Sequence, residues 1–236
     1  MADRMRIACF SIIYRGDQQH LYVPHKGLYG NHAIFDLAML DAPDIDEVFS
    51  AQREEYAAWS VAVKRSGAVS TIIYPHNPLD IVGWKGDLSG AWINVRDIRP
   101  MSSHRCHWPP SVRTTFVGGR HVVCTFKPHH FETDADALKI LFFHNNDDYA
   151  EVLFYHKREF FSRHGIDSGT LIFHPTGFTH GPSPAELKNM LVQPKPATDE
   201  YAVMIDTRDP LEVGDRPNGV ENLDYAKRWA GAGNRE

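Results

Sequence analysis

One stretch decides the fold that the sequence predicts: Gly169-Thr170-Leu171-Ile172-Phe173-His174-Pro175-Thr176-Gly177-Phe178-Thr179-His180, with the spacing G(x)5PxGxxH. Gly169 opens an apolar strand from a turn. Pro175 and Gly177 are residue types that shape a tight turn and reverse the chain. His180 then begins the next strand with its side chain directed into a barrel. The stretch therefore predicts two strands joined by a turn, with an imidazole at the start of the second strand.

Similar short segments with strand character recur through the middle of the chain. Residues 71–74 are β-branched and aromatic, and residues 112–116 and 121–126 form the strands of a predicted hairpin around Gly118-Gly119. The 17 Gly and 15 Pro among 236 residues make turns frequent. Short strands separated by turns are typical of an all-β sandwich or barrel, which is the fold class that we predict.

Helical signals are few. Ser183-Pro184-Ala185-Glu186 has the pattern of a capping box with proline at the first helical position, and it predicts a short helix through Met190. Residues 45–58 and residues 222–230 are two further candidates. We therefore expect short helices, including C-terminal ones, as additions to a β-sheet protein.

The composition argues against several classes of function. The formal net charge is -5, and no basic stripe with interleaved aromatic residues is present, so nucleic acid is not expected as a partner. No run approaches the roughly 18 apolar residues that span a bilayer, and no secretory cleavage site follows the N-terminal segment. The three cysteines, Cys9, Cys106 and Cys124, lack metal-type spacing. We interpret them as reduced thiols of a cytoplasmic protein that has no membrane partner.

The stretch 169–180 resembles the second signature motif of the cupin superfamily. The first cupin motif contains HxH(x)3-4E, and His144-Asn145-Asn146-(x)4-Glu151 occupies the same frame, with an asparagine in place of the second histidine. His144, Glu151 and His180 remain as two imidazoles and one carboxylate. Such a set is the facial triad of non-haem Fe(II) oxygenases, which leaves coordination positions open. The resemblance implies a cupin-type β-barrel, or jelly roll.

Each of these residues also has an ordinary structural interpretation. A single histidine near a strand end is more often a core or surface residue than a ligand, and Glu151 is also explained as the start of an apolar strand. The three residues together, in the order and frame of both motifs, favour the metal site.

A wider resemblance, from about residue 27 to residue 208, connects the chain with the homogentisate 1,2-dioxygenase family, especially its bacterial members. Residues 77–86, with the sequence NPLDIVGWKG, are similar to the family's NPLDxVGWxG segment, and residues 107–111 are similar to its HxxPS segment. Residues 144–155 and 174–182 resemble its HxNxDxxEVxxY and HPxGxxHGP segments. Each motif is moderately specific, and their shared order is strongly so.

This resemblance implies a role for several residues. The iron ligands would be His144, Glu151 and His180, with Fe(II) as the cofactor, and His107 would be the acid-base residue beside the substrate ring. His174 would support the ligands from outside or contact the substrate, although a residue that only fixes the turn is an equal alternative, and Phe160 would lie on the substrate side of the site. Phe160 stands nearest to the position of a substrate-contacting tyrosine in the family, and this departure bears on the identity of the substrate.

We accordingly predict an Fe(II)-dependent dioxygenase that opens the ring of homogentisate or a related hydroquinone carboxylic acid with O2. Such an enzyme would serve the catabolism of tyrosine, phenylalanine or other aromatic compounds. The same ligands suit Zn or Mn, so a cupin isomerase or hydrolase is an alternative, and a metal-poor cupin binding module is another. The resemblance also implies a homo-oligomer, either a trimer or a hexamer.

Members of the family are much longer and carry a more extensive N-terminal β-lobe. The chain is either a naturally short form or lacks part of that lobe. We predict an N-terminal arm or partial β-lobe at residues 1–58, a cupin catalytic domain at residues 59–210 and a C-terminal extension at residues 211–236.

Overall fold

The computed structural model describes most of the chain from residue 57 to residue 214 and several shorter parts. The described residues are 6–12, 22–23, 27–28, 39–41, 47, 57–65, 67–78, 88–108, 110–117, 120–137, 143–160, 165–192, 195–214, 219–225 and 227. In chain order the strands are β1 (Arg6–Ile12), β2 (Tyr22–Val23), β3 (Gly27–Leu28), β4 (Leu40–Asp41), β5 (Trp59–Arg65), β6 (Ala68–Tyr74), β7 (Leu88–Asn94), β8 (Thr114–Val117), β9 (His121–Phe126), β10 (Ala150–Glu159), β11 (Leu171–His174) and β12 (Asp199–Thr207). The α-helix α1 (Pro184–Val192) lies between the last two strands, and residues Val95–Asp97 and Pro110–Arg113 form 3-10 helices.

A five-stranded antiparallel sheet brings distant parts of the chain together. Its strand order is β11-β10-β12-β9-β8. The last strand of the sequence, β12, therefore lies between β9 and β10 and pairs with both of them. Residues that are far apart in the sequence become neighbours in this sheet.

One face of the five-stranded sheet holds the main apolar core. Directly opposite residues of an antiparallel pair point to the same face, and the register places Leu153, Met204 and Cys124 in one row across β10, β12 and β9. All three side chains are buried. Their cluster also contains Tyr155, Phe160, Ile166, Ile172 and Ala202. Burial of this cluster is the hydrophobic contribution that holds the sheet in its shape.

The next row on the same face is mostly polar. His174, Glu151, Asp206 and Val122 lie opposite one another across β11, β10, β12 and β9. Three titratable side chains therefore stand side by side at the edge of an apolar core, where water is largely excluded.

The other face of the sheet packs against a second group of strands. Phe116 and Val123 form a buried cluster with Ile93 of β7 and with Ile98. β7 belongs to a three-stranded sheet of order β1-β7-β4, in which β1 pairs with β7 over seven residues. The pairs β2-β3 and β5-β6 form two-stranded sheets.

The all-β prediction is confirmed. Antiparallel sheets dominate the described residues, and these sheets and the small number of helices are consistent with a cupin-like fold. The predicted hairpin strands correspond to β8 and β9. The turn between those two strands lies outside the described residues. The division of the chain into three domains stays a prediction.

The stretch 169–180 differs from its prediction at its second strand. β11 and the turn at Gly177, whose φ is 74°, form as expected. His180, however, makes only an isolated bridge with His144. Pro182 follows two residues later and has no N–H for a ladder, and α1 begins at Pro184, so the chain leaves the sheet at once.

The helix α1 begins at the predicted capping box. The Ser183 backbone N–H donates to Glu186 Oε2 at 2.6 Å, and the Glu186 N–H donates to Ser183 Oγ at 3.4 Å. Of the other two helix candidates, residues 45–58 lie mostly outside the described residues, and residues 222–225 form a turn. Within the described part of the chain, no helix combines the length and the apolar character that a membrane-spanning helix needs.

Candidate metal centre

Three side chains that the sequence analysis selected lie together at the polar row. His144, Glu151 and His180 each offer one ligand atom, and these atoms all lie within 4.8 Å of one another. Glu151 and His180 are buried, whereas His144 is more exposed. His144 therefore lies on the solvent side of the group, and the other two face the core.

Backbone pairing brings the two histidines together. The His144 N–H donates to the His180 carbonyl at 2.9 Å, and the His180 N–H donates to the His144 carbonyl at 3.0 Å. Their rings consequently lie with centroids 4.3 Å apart. A third backbone bond, from the Gly177 N–H to the Asn146 carbonyl at 2.9 Å, joins the turn after β11 to the loop before β10. The two motif segments are thus fixed to each other at two points.

Glu151 accepts hydrogen bonds on both of its oxygens. The Asn146 Nδ2 amide donates to Oε1 at 3.0 Å, while His180 Nε2 and His174 Nδ1 lie 3.1 Å and 3.3 Å from Oε2. Burial by itself would raise the pKa of Glu151. The bonds from the two imidazoles and the amide outweigh that effect and hold the pKa well below its ordinary value. The carboxylate is therefore anionic, as a metal ligand must be.

Contacts on the side of the ring away from Glu151 fix the orientation of His180. Its Nδ1 donates to the Phe178 carbonyl at 2.8 Å, and this bond turns Nε2 toward Glu151, where Nε2 can donate to the carboxylate or, after losing its proton, bind a metal ion. The His174 ring stacks on the His180 ring with centroids 4.1 Å apart and an angle of 14°. Such fixing of the far side of a ligating histidine is a regular feature of metal sites.

These donors fit a divalent metal ion. Metal–ligand bonds of about 2.0–2.2 Å place two ligand atoms of the same ion roughly 3–4 Å apart, and the 3.1 Å between His180 Nε2 and Glu151 Oε2 lies in that range. Two imidazoles and one carboxylate suit Fe(II), and they also suit Zn. The structure therefore contains a possible metal-binding triad whose chemistry does not by itself select the metal.

Comparison with known proteins finds sequence similarity to a protein that carries a functional name. No protein-family model matches the chain. The chain is 31% identical over 176 residues to a protein of Saccharolobus solfataricus named "Putative dioxygenase SSO1533". The alignment covers 75% of this chain and 46% of that protein, so the chain spans about half the length of the relative that it matches. The name of the relative gives a reaction class and specifies neither substrate nor metal.

His107 lies outside this triad and has a buried partner of its own. Its Nδ1 is 2.8 Å from Glu132 Oε1, and the Glu132 side chain is buried. A carboxylate can only accept, so Nδ1 carries the proton and Nε2 is the atom that remains for proton transfer. The pairing agrees with the geometry that an acid-base residue needs, and the catalytic role of His107 stays a prediction.

The two residues predicted on the substrate side occupy different surroundings. His174 lies in the polar row, in contact with Glu151. Phe160 lies in the apolar core with 5% of its surface exposed, and its ring packs edge-on against Tyr155 with centroids 4.5 Å apart. A role in substrate binding stays a prediction for both residues.

Two residues of the site were not singled out by the sequence analysis. Asn146 was interpreted only as a missing ligand, whereas its amide holds Glu151 and its Oδ1 accepts from the Tyr149 N–H at 3.1 Å. Asp206 lies directly opposite Glu151. The available signal was the alternation of Ala202, Met204 and Asp206 along β12, where an acidic residue takes the third inward position.

The environment of Asp206 is unfavourable for a charge. Burial, followed by the nearby charge of Glu151, raises the pKa of Asp206 to about 7, while His180 acts in the opposite direction.

The thiol of Cys124 lies in the same region, and burial raises its pKa to about 12. Cys124 is a buried free thiol and Cys106 is an exposed one, in agreement with the prediction of reduced cysteines.

A separate buried cluster surrounds His129. The guanidinium of Arg113, itself buried, donates to His129 Nε2 at 2.9 Å, and His129 Nδ1 lies 3.0 Å from the Lys127 carbonyl. The imidazole therefore accepts on one nitrogen and donates on the other, which only its neutral form can do. Burial, and then the Arg113 charge, lower the pKa of His129 to about 4.

This cluster should make the fold sensitive to acid. Since the folded protein keeps His129 neutral to about pH 4 and the unfolded chain protonates it near pH 6.5, its contribution to stability is complete above pH 6.5 and is lost as the pH falls toward 4. Between pH 7 and pH 4.5 the loss is roughly 2 kcal/mol. Urea unfolding with a chelator present measures the free energy of unfolding at both pH values. As the pH falls, this free energy should decrease by roughly 2 kcal/mol less in His129→Gln than in wild type. The exposed His130→Gln variant should behave as wild type, and equal losses in all three proteins would contradict the assignment.

Proposed function

We propose that the protein is an Fe(II)-dependent ring-cleaving dioxygenase that acts on homogentisate or a related hydroquinone carboxylic acid. The observation that carries the proposal is the group formed by His144, Glu151 and His180, whose ligand atoms all lie within 4.8 Å of one another. Three protein ligands leave positions open for a substrate oxygen and for O2. The similarity to a relative named as a dioxygenase supports the same reaction class.

Each residue of the site would have a separate role in the reaction. His144, Glu151 and His180 would hold the ion, and the anionic Glu151 offsets part of its charge. Fe(II), when bound, supplies the electron-transfer chemistry that lets an aromatic ring react with O2. His107, held at Nδ1 by Glu132, would accept the proton of a phenolic hydroxyl at Nε2. The apolar core beside the polar row excludes water from the buried side of the site.

Oxygen uptake tests this proposal directly. Protein reconstituted with Fe(II) without air should consume O2 when homogentisate is added, and gentisate should be run beside it as a second hydroquinone acid. Matched samples loaded with Zn(II) should consume none. Absence of uptake with every hydroquinone acid would overturn the dioxygenase proposal. Binding of metal with hydrolase or isomerase activity would instead favour that alternative, and failure to bind metal would favour a binding module.

We further propose a cytoplasmic, homo-oligomeric protein. The free thiols of Cys106 and Cys124 support a reducing compartment. The homo-oligomer, a trimer or a hexamer, rests on the family resemblance alone. Light scattering on purified protein would measure the number of subunits.

A further inference from the structure

Asp206 occupies an unusual position beside the metal triad. In the register of the five-stranded sheet it lies directly opposite Glu151 on β10 and directly opposite Val122 on β9. Directly opposite side chains share a face and have Cβ atoms roughly 4.5–5.5 Å apart. Met204 and Ala202, two and four residues before Asp206, are buried in the core on this same face. Asp206 therefore projects to the same side as Glu151, above the apolar core.

One oxygen of this carboxylate lacks a hydrogen-bond partner in the described part of the chain. Its Oδ1 is buried, and it has no hydrogen-bond partner among the described residues. A buried acceptor without a partner costs roughly 1–3 kcal/mol, and an aliphatic side chain would suit the inner face better. Asp206 also lies outside the group of ligand atoms that could hold one ion. Neither packing nor the metal triad accounts for a carboxyl group at this position, and an unsatisfied buried polar group in a fold calls for an explanation such as a functional role.

We propose that Asp206 is a specificity-determining residue that accepts, through Oδ1, a hydrogen bond from a hydroxyl group of the aromatic ligand bound at the triad. The inference rests on the proposed function and adds to it the residue that would recognise the second hydroxyl of a hydroquinone acid, the one that does not bind the metal. A carboxyl group keeps an acceptor oxygen in either protonation state. A hydroxyl donor from the ligand is the partner that the buried Oδ1 lacks, and a buried hydrogen bond to a carboxylate is stronger than one between neutral groups.

Binding of a matched pair of ligands tests this inference without turnover. Zn(II)-loaded protein, which does not carry out oxygen chemistry, is titrated by calorimetry with homogentisate and with 2-hydroxyphenylacetate, which lacks the second hydroxyl. Wild type should prefer homogentisate by about 10–100-fold. Asp206→Leu should reduce the preference to about onefold, and Asp206→Asn, which keeps an acceptor oxygen and the side-chain shape, should retain part of it. Asp209→Asn makes the same charge change at an exposed position after β12 and should leave the preference unchanged.

Two further measurements separate this role from others. The affinity for Zn(II) should change by less than about threefold in Asp206→Asn, and chelator-treated Asp206→Leu should be at least as resistant to thermal unfolding as wild type. If Asp206→Leu does not fold, Asp206→Asn still tests the preference.

The possible failures point to different errors. A preference that both Asp206 variants keep in full overturns the inference and leaves the proposed function standing. A tenfold loss of Zn(II) affinity in Asp206→Asn makes Asp206 a metal ligand and also overturns the inference. If wild type binds neither aromatic acid, the proposed function is wrong and the inference fails with it.

Discussion

Replacing Glu151 by alanine is expected to weaken Fe(II) binding by at least about 100-fold and to abolish the proposed ring cleavage. Glu151 supplies the anionic ligand of the triad, and its carboxylate contacts His180 Nε2 at 3.1 Å. Loss of a residue that merely supports a metal ligand costs about 10–100-fold in affinity or activity. Loss of the ligand itself should cost more, because two imidazoles remain and no negative charge offsets that of the ion.

The variant should nevertheless fold. β10, which carries Glu151, is held by backbone pairing with β11 on one side and β12 on the other, and this pairing does not use the Glu151 side chain. Circular dichroism should therefore show the wild-type content of strands, while anaerobic calorimetric titration with Fe(II) shows the loss of binding.

Asp148→Ala is the matched control for this experiment. It removes an exposed carboxylate three residues before Glu151 and should bind Fe(II) as wild type does. Glu151→Gln keeps the length of the side chain and removes its charge, so its affinity should fall between those of wild type and Glu151→Ala. Wild-type Fe(II) affinity in Glu151→Ala would show that the ligand assignment is wrong.

The parts of the site that the sequence predicted are those encoded in short segments. The turn around Gly177 and the capping box at Ser183 depend on residue types within a few positions of one another, so local pattern was sufficient. For the turn and the capping box, physical interactions within one segment determine its structure. The triad was predicted in another way, because the resemblance to the two cupin motifs marks the positions of its ligands along the chain.

The parts that the sequence did not predict depend on pairing between distant segments. Asp206 faces Glu151 only because β12 lies between β9 and β10, and no local pattern specifies that order. Glu132 becomes the partner of His107 across 25 residues. Asn146 was recognised as a departure from a motif, but its bond to Glu151 depends on the geometry of the folded loop. Strand register and loop geometry, which sequence patterns alone did not specify, determined all three.

Replacing His107 by glutamine is expected to lower kcat for ring cleavage by about 10²–10⁴-fold. Glutamine can donate a hydrogen bond to Glu132 from a similar position, but it cannot take up a proton at neutral pH. KM for homogentisate and the affinity for Fe(II) should change little, since His107 is not among the three residues whose ligand atoms lie together. Steady-state oxygen uptake with Fe(II)-loaded protein measures both kinetic constants. His104→Gln, at an exposed position three residues earlier, should match wild type.

Substitution of Glu132, the partner of His107, distinguishes a role of His107 in proton transfer from a role in stabilising the loop. Glu132→Gln removes the charge that fixes the imidazole and should also lower kcat, by less than His107→Gln does, because the imidazole itself remains. If the pair only stabilises the fold, both variants unfold at lower temperature but retain the wild-type kcat when assayed well below their Tm. If His107 moves the proton, kcat falls in both variants at temperatures where each is fully folded. A folded His107→Gln variant with unchanged kcat would therefore contradict the acid-base role, while the metal assignment would stand.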